Sequence, residues 1–141
     1  MATMLRPTLL TTMLLTAALG AACGDDDIPT APSGPDPVAV SETFNDVLNP
    51  NGGRTHTFVA ERAGSVTATL NAIEADPVPV IGMCLGTFNG LACQVILAND
   101  NAQVGQTITG TATSSGVFCV RIYDTGRLTQ NVNYTVTVTH F

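Results

Sequence analysis

The stretch Gly116 to Gly126, reading GVFCVRIYDTG, constrains the fold more than any other part of the chain. Phe118, Val120 and Ile122 alternate with Val117, Cys119 and Arg121 at period two, which is the pattern of a strand with one side against a core. Gly116 opens the strand, and an Asp124-Thr125-Gly126 turn closes it. Its central cysteine predicts that the outward face also meets a covalent or packed layer.

Seven further stretches read the same way. Ser41 to Leu48 carries Phe44 as an apolar anchor and ends at the Asn49-Pro50-Asn51-Gly52-Gly53 turn. Arg54 to Ala60 puts His56 and Phe58 on one side, and Gly64 to Leu70 puts Val66, Ala68 and Leu70 on one side. Val80 to Leu85 aligns Ile81, Met83 and Leu85, and a hairpin is expected over Gly86 to Gly90 because of Asn89-Gly90. Leu91 to Leu97 follows, with Asn99-Asp100-Asn101 as the next turn, and then Gln106 to Thr113 around Ile108. Val132 to His140 alternates Val132, Tyr134, Val136 and Val138 with Asn133, Thr135, Thr137 and Thr139. Eight short strands without a long helical period predict an all-β fold, an eight-stranded sandwich or jelly roll. Threonine on the wet faces suits the pleat.

This domain is expected over residues 38–141. Residues 1–22 contain one cation, Arg6, and the run LLTTMLLTAALGAA, which is shorter than the roughly 20 apolar residues that cross a bilayer as a helix. Small residues follow it, so the segment reads as an export signal. Leu19-Gly20-Ala21-Ala22-Cys23 resembles a bacterial lipobox, with its leucine one place further from the cysteine than usual. The resemblance implies that Cys23 is diacylated and becomes the mature N-terminus; the alternative is an ordinary secretory signal cut near Ala22. Residues 23–37 hold four prolines and four aspartates and little to bury, so they read as a tether reaching about 40 Å if extended. Gly24, rather than Asp, after the lipid cysteine resembles a release signal to the outer membrane, on its periplasmic face or at the cell surface.

Beyond residue 22 there is no lysine, and four arginines face eleven carboxylates, a formal net charge of −7. Such a surface repels phosphate polymers, so nucleic acid is not an expected partner. His56 and His140 share the parity of core residues, and two histidines define neither a Ser-His-Asp order nor a zinc site. Asp76, Asp100 and Asp124, with Asn99 and Asn101, sit in turn-like stretches and offer the hard oxygens that calcium takes. The same residue types cap their own turns, so no cofactor is expected, calcium being the candidate held open. Glu61, Glu74 and Asp76 are the carboxylates available for glycoside hydrolysis, and Tyr123, Phe88 and Tyr134 the aromatics available for stacking on a sugar.

Cys84, Cys93 and Cys119 are three thiols in an oxidising compartment, predicting one bond and one leftover. Loop-closure entropy does not choose among the pairs. A tight two-residue Asn89-Gly90 turn would make Cys84 and Cys93 diagonal neighbours, whereas a four-residue loop from Thr87 to Gly90 would place them opposite each other.

Residues 41 to 141 resemble the bacterial pre-peptidase C-terminal domain, a β-sandwich often appended to secreted peptidases. The resemblance rests on aromatic-x-Val-x-Val in the penultimate strand, carried here by Phe118, Val120 and Ile122, and on Tyr-Thr-x-x-Val, carried by Tyr134, Thr135 and Val138. It implies that Cys93 and Cys119 are bonded and that Cys84 is a buried or half-buried free thiol. No peptidase precedes the domain here, so an accessory role beside a catalytic domain of the same polypeptide is not expected. The expected function is a non-catalytic module tied to the membrane through its lipid, binding an envelope protein or polysaccharide. The alternative is a carbohydrate or extracellular-matrix binder, by fold analogy.

Overall fold

The computed structural model describes residues 38–141. The expected signal segment, the lipidation of Cys23 and the tether over 23–37 lie outside the described residues.

Eight strands form: β1 (Val40–Leu48), β2 (Gly53–Ala60), β3 (Gly64–Glu74), β4 (Ile81–Phe88), β5 (Cys93–Ala102), β6 (Thr107–Ala112), β7 (Gly116–Tyr123) and β8 (Val132–His140). They make two four-stranded antiparallel sheets, ordered β1-β8-β3-β6 and β2-β7-β4-β5. Every connection except the β4–β5 hairpin passes from one sheet to the other. That interleaved order is a jelly roll, as the alternation predicts.

Strand parity builds the core. Val66, Ala68 and Leu70 of β3 and Val132, Tyr134, Val136 and Val138 of β8 are buried on the inner face of the first sheet. Phe58 and Ala60 of β2, Ile81, Met83 and Leu85 of β4, and Val120 and Ile122 of β7 are buried on the second. These residues form one apolar cluster. The outer face of the first sheet is hydroxylic. Ser41, Thr139, Thr67 and Thr109 fall in one row across four strands, and Thr43, Thr137, Thr69 and Thr107 in another. Within these rows, side-chain oxygens of paired residues lie 2.8 to 3.3 Å apart, an arrangement worth roughly 0.2–1 kcal/mol per cross-strand pair.

Three boundaries differ from expectation. β3 continues past Leu70 to Glu74 because a bulge at Asn71 shifts the register and returns Ile73 to the core, so the broken alternation reads as an end. Asn99-Asp100-Asn101 is not a turn: it lies inside β5, and the chain turns at Gln103 to Gln106, with Gly105 at φ 88°. The β4–β5 loop is neither expected form. It spans 89–92, with Phe88 opposite Cys93 and Cys84 opposite Ala98. The Asn89 side chain accepts the Leu91 and Ala92 amides at 2.9 and 2.8 Å, and Gly90 takes φ 92°.

Cys93 and Cys119 form a disulfide, the pair implied by the resemblance, and Cys84 is free and buried. The bond joins β5 to β7, which are not neighbours, because β4 runs between them. Their Cα atoms are 5.8 Å apart, where two interstrand spacings would give roughly 9.5 Å. The start of β5 therefore folds over β4, and Gly86 is where it crosses. Gly86 is paired with both Val95 and Cys119, and a Cβ there would lie 2.0 Å from the Gln94 carbonyl oxygen.

Two outcomes follow for stability. Gly86→Ala sets a methyl against backbone and is expected to cost about 3 kcal/mol in chemical unfolding; an unchanged midpoint would refute the crossing. Removing both Cys93 and Cys119 as alanines is expected to cost roughly 3.5 kcal/mol by release of the closed loop, read by the same titration under non-reducing conditions.

Candidate functional site

The two long sides of the sandwich are built differently. Where β1 and β2 meet, the sheets are tied by polar and aromatic contacts. Arg54 Nε of β2 donates to the Val47 carbonyl of β1 at 3.1 Å and lies 3.7 Å from Asp46. His56 of β2 stacks on Phe44 of β1 at a centroid distance of 4.8 Å, and its Nε2 shares a 2.7 Å hydrogen bond with the buried Tyr134 hydroxyl. A buried tyrosine needs such a partner for its polar end. Burial keeps His56 below the usual histidine range, with Asp46 opposing and Arg54 reinforcing that shift. Burial likewise pushes the Tyr134 hydroxyl well above the usual tyrosine value.

The opposite side, where the edges β5 and β6 face each other, is open. An apolar cleft of about 330 Å³ lies there, lined by Phe58, Val66, Leu85, Ile96, Leu97, Ala112 and Phe118, with Thr109, Thr111, Gly86 and Gly110 completing it. Its origin is local. Parity sends Ile108, Gly110 and Ala112 of β6 inward, and Gly110 supplies no side chain at its inward position. A Cβ on Gly110 would meet only Leu97 Cδ1, at 3.2 Å. The Phe58 and Phe118 rings stack in this wall at 6.0 Å, and Phe58 stacks in turn on His140 at 5.1 Å. His140 is buried, with Nε2 2.9 Å from Glu42 Oε1 and Nδ1 without a partner. No lining residue is charged, and the volume falls in the range of small-ligand pockets.

The sequence-predicted site residues separate into other roles. Asp124 is a hub for two loops: it accepts the amides of Asn51 at 2.8 Å, Arg127 at 2.9 Å and Leu128 at 3.1 Å. Burial acts to raise its pKa, but these backbone hydrogen bonds outweigh it and hold the carboxyl below its ordinary value. Asp100 accepts the Tyr123 hydroxyl, and burial followed by this contact pushes the tyrosine up to about 12. Asp76 precedes a cis proline and lines a separate groove with Arg127 and Val132. Among the described residues, no three His, Cys, Asp or Glu side chains converge as a metal site would require.

Glu61 and Glu74 sit at opposite ends of β3, whose eleven residues span roughly 35 Å, so they do not form a catalytic pair. Glu74 instead accepts the Asn133 amide at 2.8 Å. Tyr134 is inside the core, while Tyr123 and Phe88 belong to opposite ends of β4, Tyr123 packing at Gly82. The three aromatics make no common platform. Cys84 is buried beside Val95, Arg121 and Tyr123, and burial raises its pKa, which disfavours the thiolate. The cleft itself escaped the reading of the chain: its signal, a glycine at an inward position of β6, has no meaning until β5 is placed opposite.

The His56 geometry carries a pH dependence. A folded-state pKa depressed below the unfolded value of about 6.5 contributes stability that is fully present above that pH and is lost as pH falls towards the folded value. The melting temperature of the wild type is therefore expected to drop between neutral and mildly acidic pH. In His56→Gln this component is expected to vanish; an identical slope in the variant would exclude His56 as its source.

No family model matches the chain, and no curated protein matches it.

Proposed function

We propose that this chain is a non-catalytic, lipid-anchored module of the bacterial cell envelope that binds through the opening between β5 and β6. The observation that carries the reading is the uncharged apolar cleft in an otherwise acidic domain. Large exposed apolar features on a small domain are costly unless something covers them, and Ile96 and Leu97, which line the cleft, are 66% and 37% exposed. The lipobox-like Leu19 to Cys23 and the acidic, proline-rich stretch after it support anchoring at the membrane with the domain held clear of the headgroups. An envelope protein presenting an apolar side chain suits the cleft better than a polysaccharide does, since Thr109 and Thr111 are its only hydroxyl-bearing residues. Carbohydrate or matrix binding is the second reading, favoured by the hydroxylic rows on the outer face of the first sheet.

Radiolabelled palmitate tests the anchor: incorporation is expected in the wild type and absent in Cys23→Ala. For the cleft, Gly110→Leu fills the space without touching the outer surface. Glycine weakens a strand interior by roughly 0.5–1 kcal/mol, while Leu97 must yield a few tenths of an ångström to the new side chain, so the variant's melting temperature is expected to stay close to that of the wild type. Crosslinking on intact cells is expected to recover an envelope partner with the wild type and at least tenfold less with Gly110→Leu. Equal recovery would remove the cleft as the binding site.

A further inference from the structure

The opening has a regular edge as well as a pocket. β6 pairs with β3 from Ser65↔Thr111 to Thr69↔Thr107 without a bulge, and among the described residues no strand covers its other side. Natural sheets blunt such edges with lysine, proline, bulges or inward charge. None of these occurs in Thr107–Ala112, and the chain has no lysine at all. From Pro77 to Val120 the only charged residue is Asp100. The arginines and the other carboxylates of the described residues fall before and after this stretch, on β1 and β2, at the end of β3, on β7 and in the loops. Two copies of an acidic molecule repel each other over most of their surfaces, but not here.

The sequence of β6 is also suited to pairing with itself. Outward Thr109 and Thr111, and inward Ile108 and Ala112, are placed symmetrically about Gly110. Two β6 strands related by a two-fold axis perpendicular to the sheet would run antiparallel with Gly110 facing Gly110. Thr109 would then face Thr111, and Ile108 would face Ala112. A two-fold contact of this kind is self-complementary and closed. Outside, it continues the rows that already pair Ser41 with Thr139 and Thr67 with Thr109. Inside, it brings each Ile108 to the other copy's opening, and it places the exposed Ile96 and Leu97 of the two β5 strands beside the axis.

We propose that the partner docked at this opening is a second copy of the chain, joined β6 to β6 into one eight-stranded sheet. This deepens the reading of the opening as a binding site and rests on it.

The test uses the secreted chain carrying Cys23→Ala, so that no lipid drives association, in sedimentation equilibrium across a concentration series. A concentration-dependent dimer is expected. Thr109→Lys, at an exposed outward position, is expected to weaken it at least tenfold, with an unchanged melting temperature at dilutions where the wild type is monomeric. Mixing Thr109→Lys with Thr111→Glu is expected to restore a heterodimer, because that register sets the two positions opposite each other. A dimer unaffected by Thr109→Lys but broken by Ile96→Arg would overturn the strand pairing. A chain that stays monomeric throughout would overturn the self-association. If such a monomer still recovers an envelope partner that Gly110→Leu loses, the opening binds another protein; if it recovers none, the reading of the opening as a binding site falls as well.

Discussion

The structure depends on the facing of two inner surfaces whose residues were sorted by strand parity alone. With no tryptophan in the chain, the layer between the sheets is filled by Leu70, Val136 and Val138 from one side and by Ile81, Met83, Val120 and Ile122 from the other, all buried. At roughly 25 cal/mol per Å² of apolar surface removed from water, such a core offsets the ordering of about a hundred residues only narrowly. A core of that size leaves little to spare, so contacts at its margins count. On the β1–β2 side the margin is stitched by Arg54 to Val47 and by His56 to Tyr134. On the β5–β6 side a hydrogen bond from Asn99 to Gln106 ties β5 to the start of β6 at one end, and beyond it the space left by Gly110 remains as a cleft.

The disulfide belongs to the same account. It crosses β4 on the outer face of the second sheet, so it fixes the start of β5 against β7 without entering the core. The crossing needs a strand position with no side chain, and Gly86 is that position. Cys84, two residues earlier on the same face, is covered by Val95 and by Arg121 and Tyr123 of β7. One device thus accounts for all three cysteines of the domain, and it leaves the inner face free for apolar packing.

Much of the fold was legible in the chain. β7 and β8 were readable to the residue because their alternation is unbroken and their ends are marked by glycine or a turn. β3 and β5 were not. A bulge at Asn71 and an Asn-Asp-Asn run inside a strand both imitate turn chemistry, and only pairing with β8 and β4 overrides it. The candidate calcium ligands take up local hydrogen-bonding roles for a related reason. Asp124 stands where a turn needs backbone amides accepted, and that local demand absorbs its oxygens.

From the sequence alone follow the class of fold, the two faces of each strand, the core-side parity of both histidines and an acidic, lysine-free surface, because these depend on period, composition and charge. The tertiary structure decided which sheet each strand joined, which carboxylates met, and that one side of the sandwich stands open. Those depend on which strands become neighbours, and adjacency across a jelly roll is set by packing between residues far apart in the chain. Gly86 and Gly110 show the difference most plainly: as letters they are strand breakers, and in place one admits a crossing chain while the other leaves a cleft.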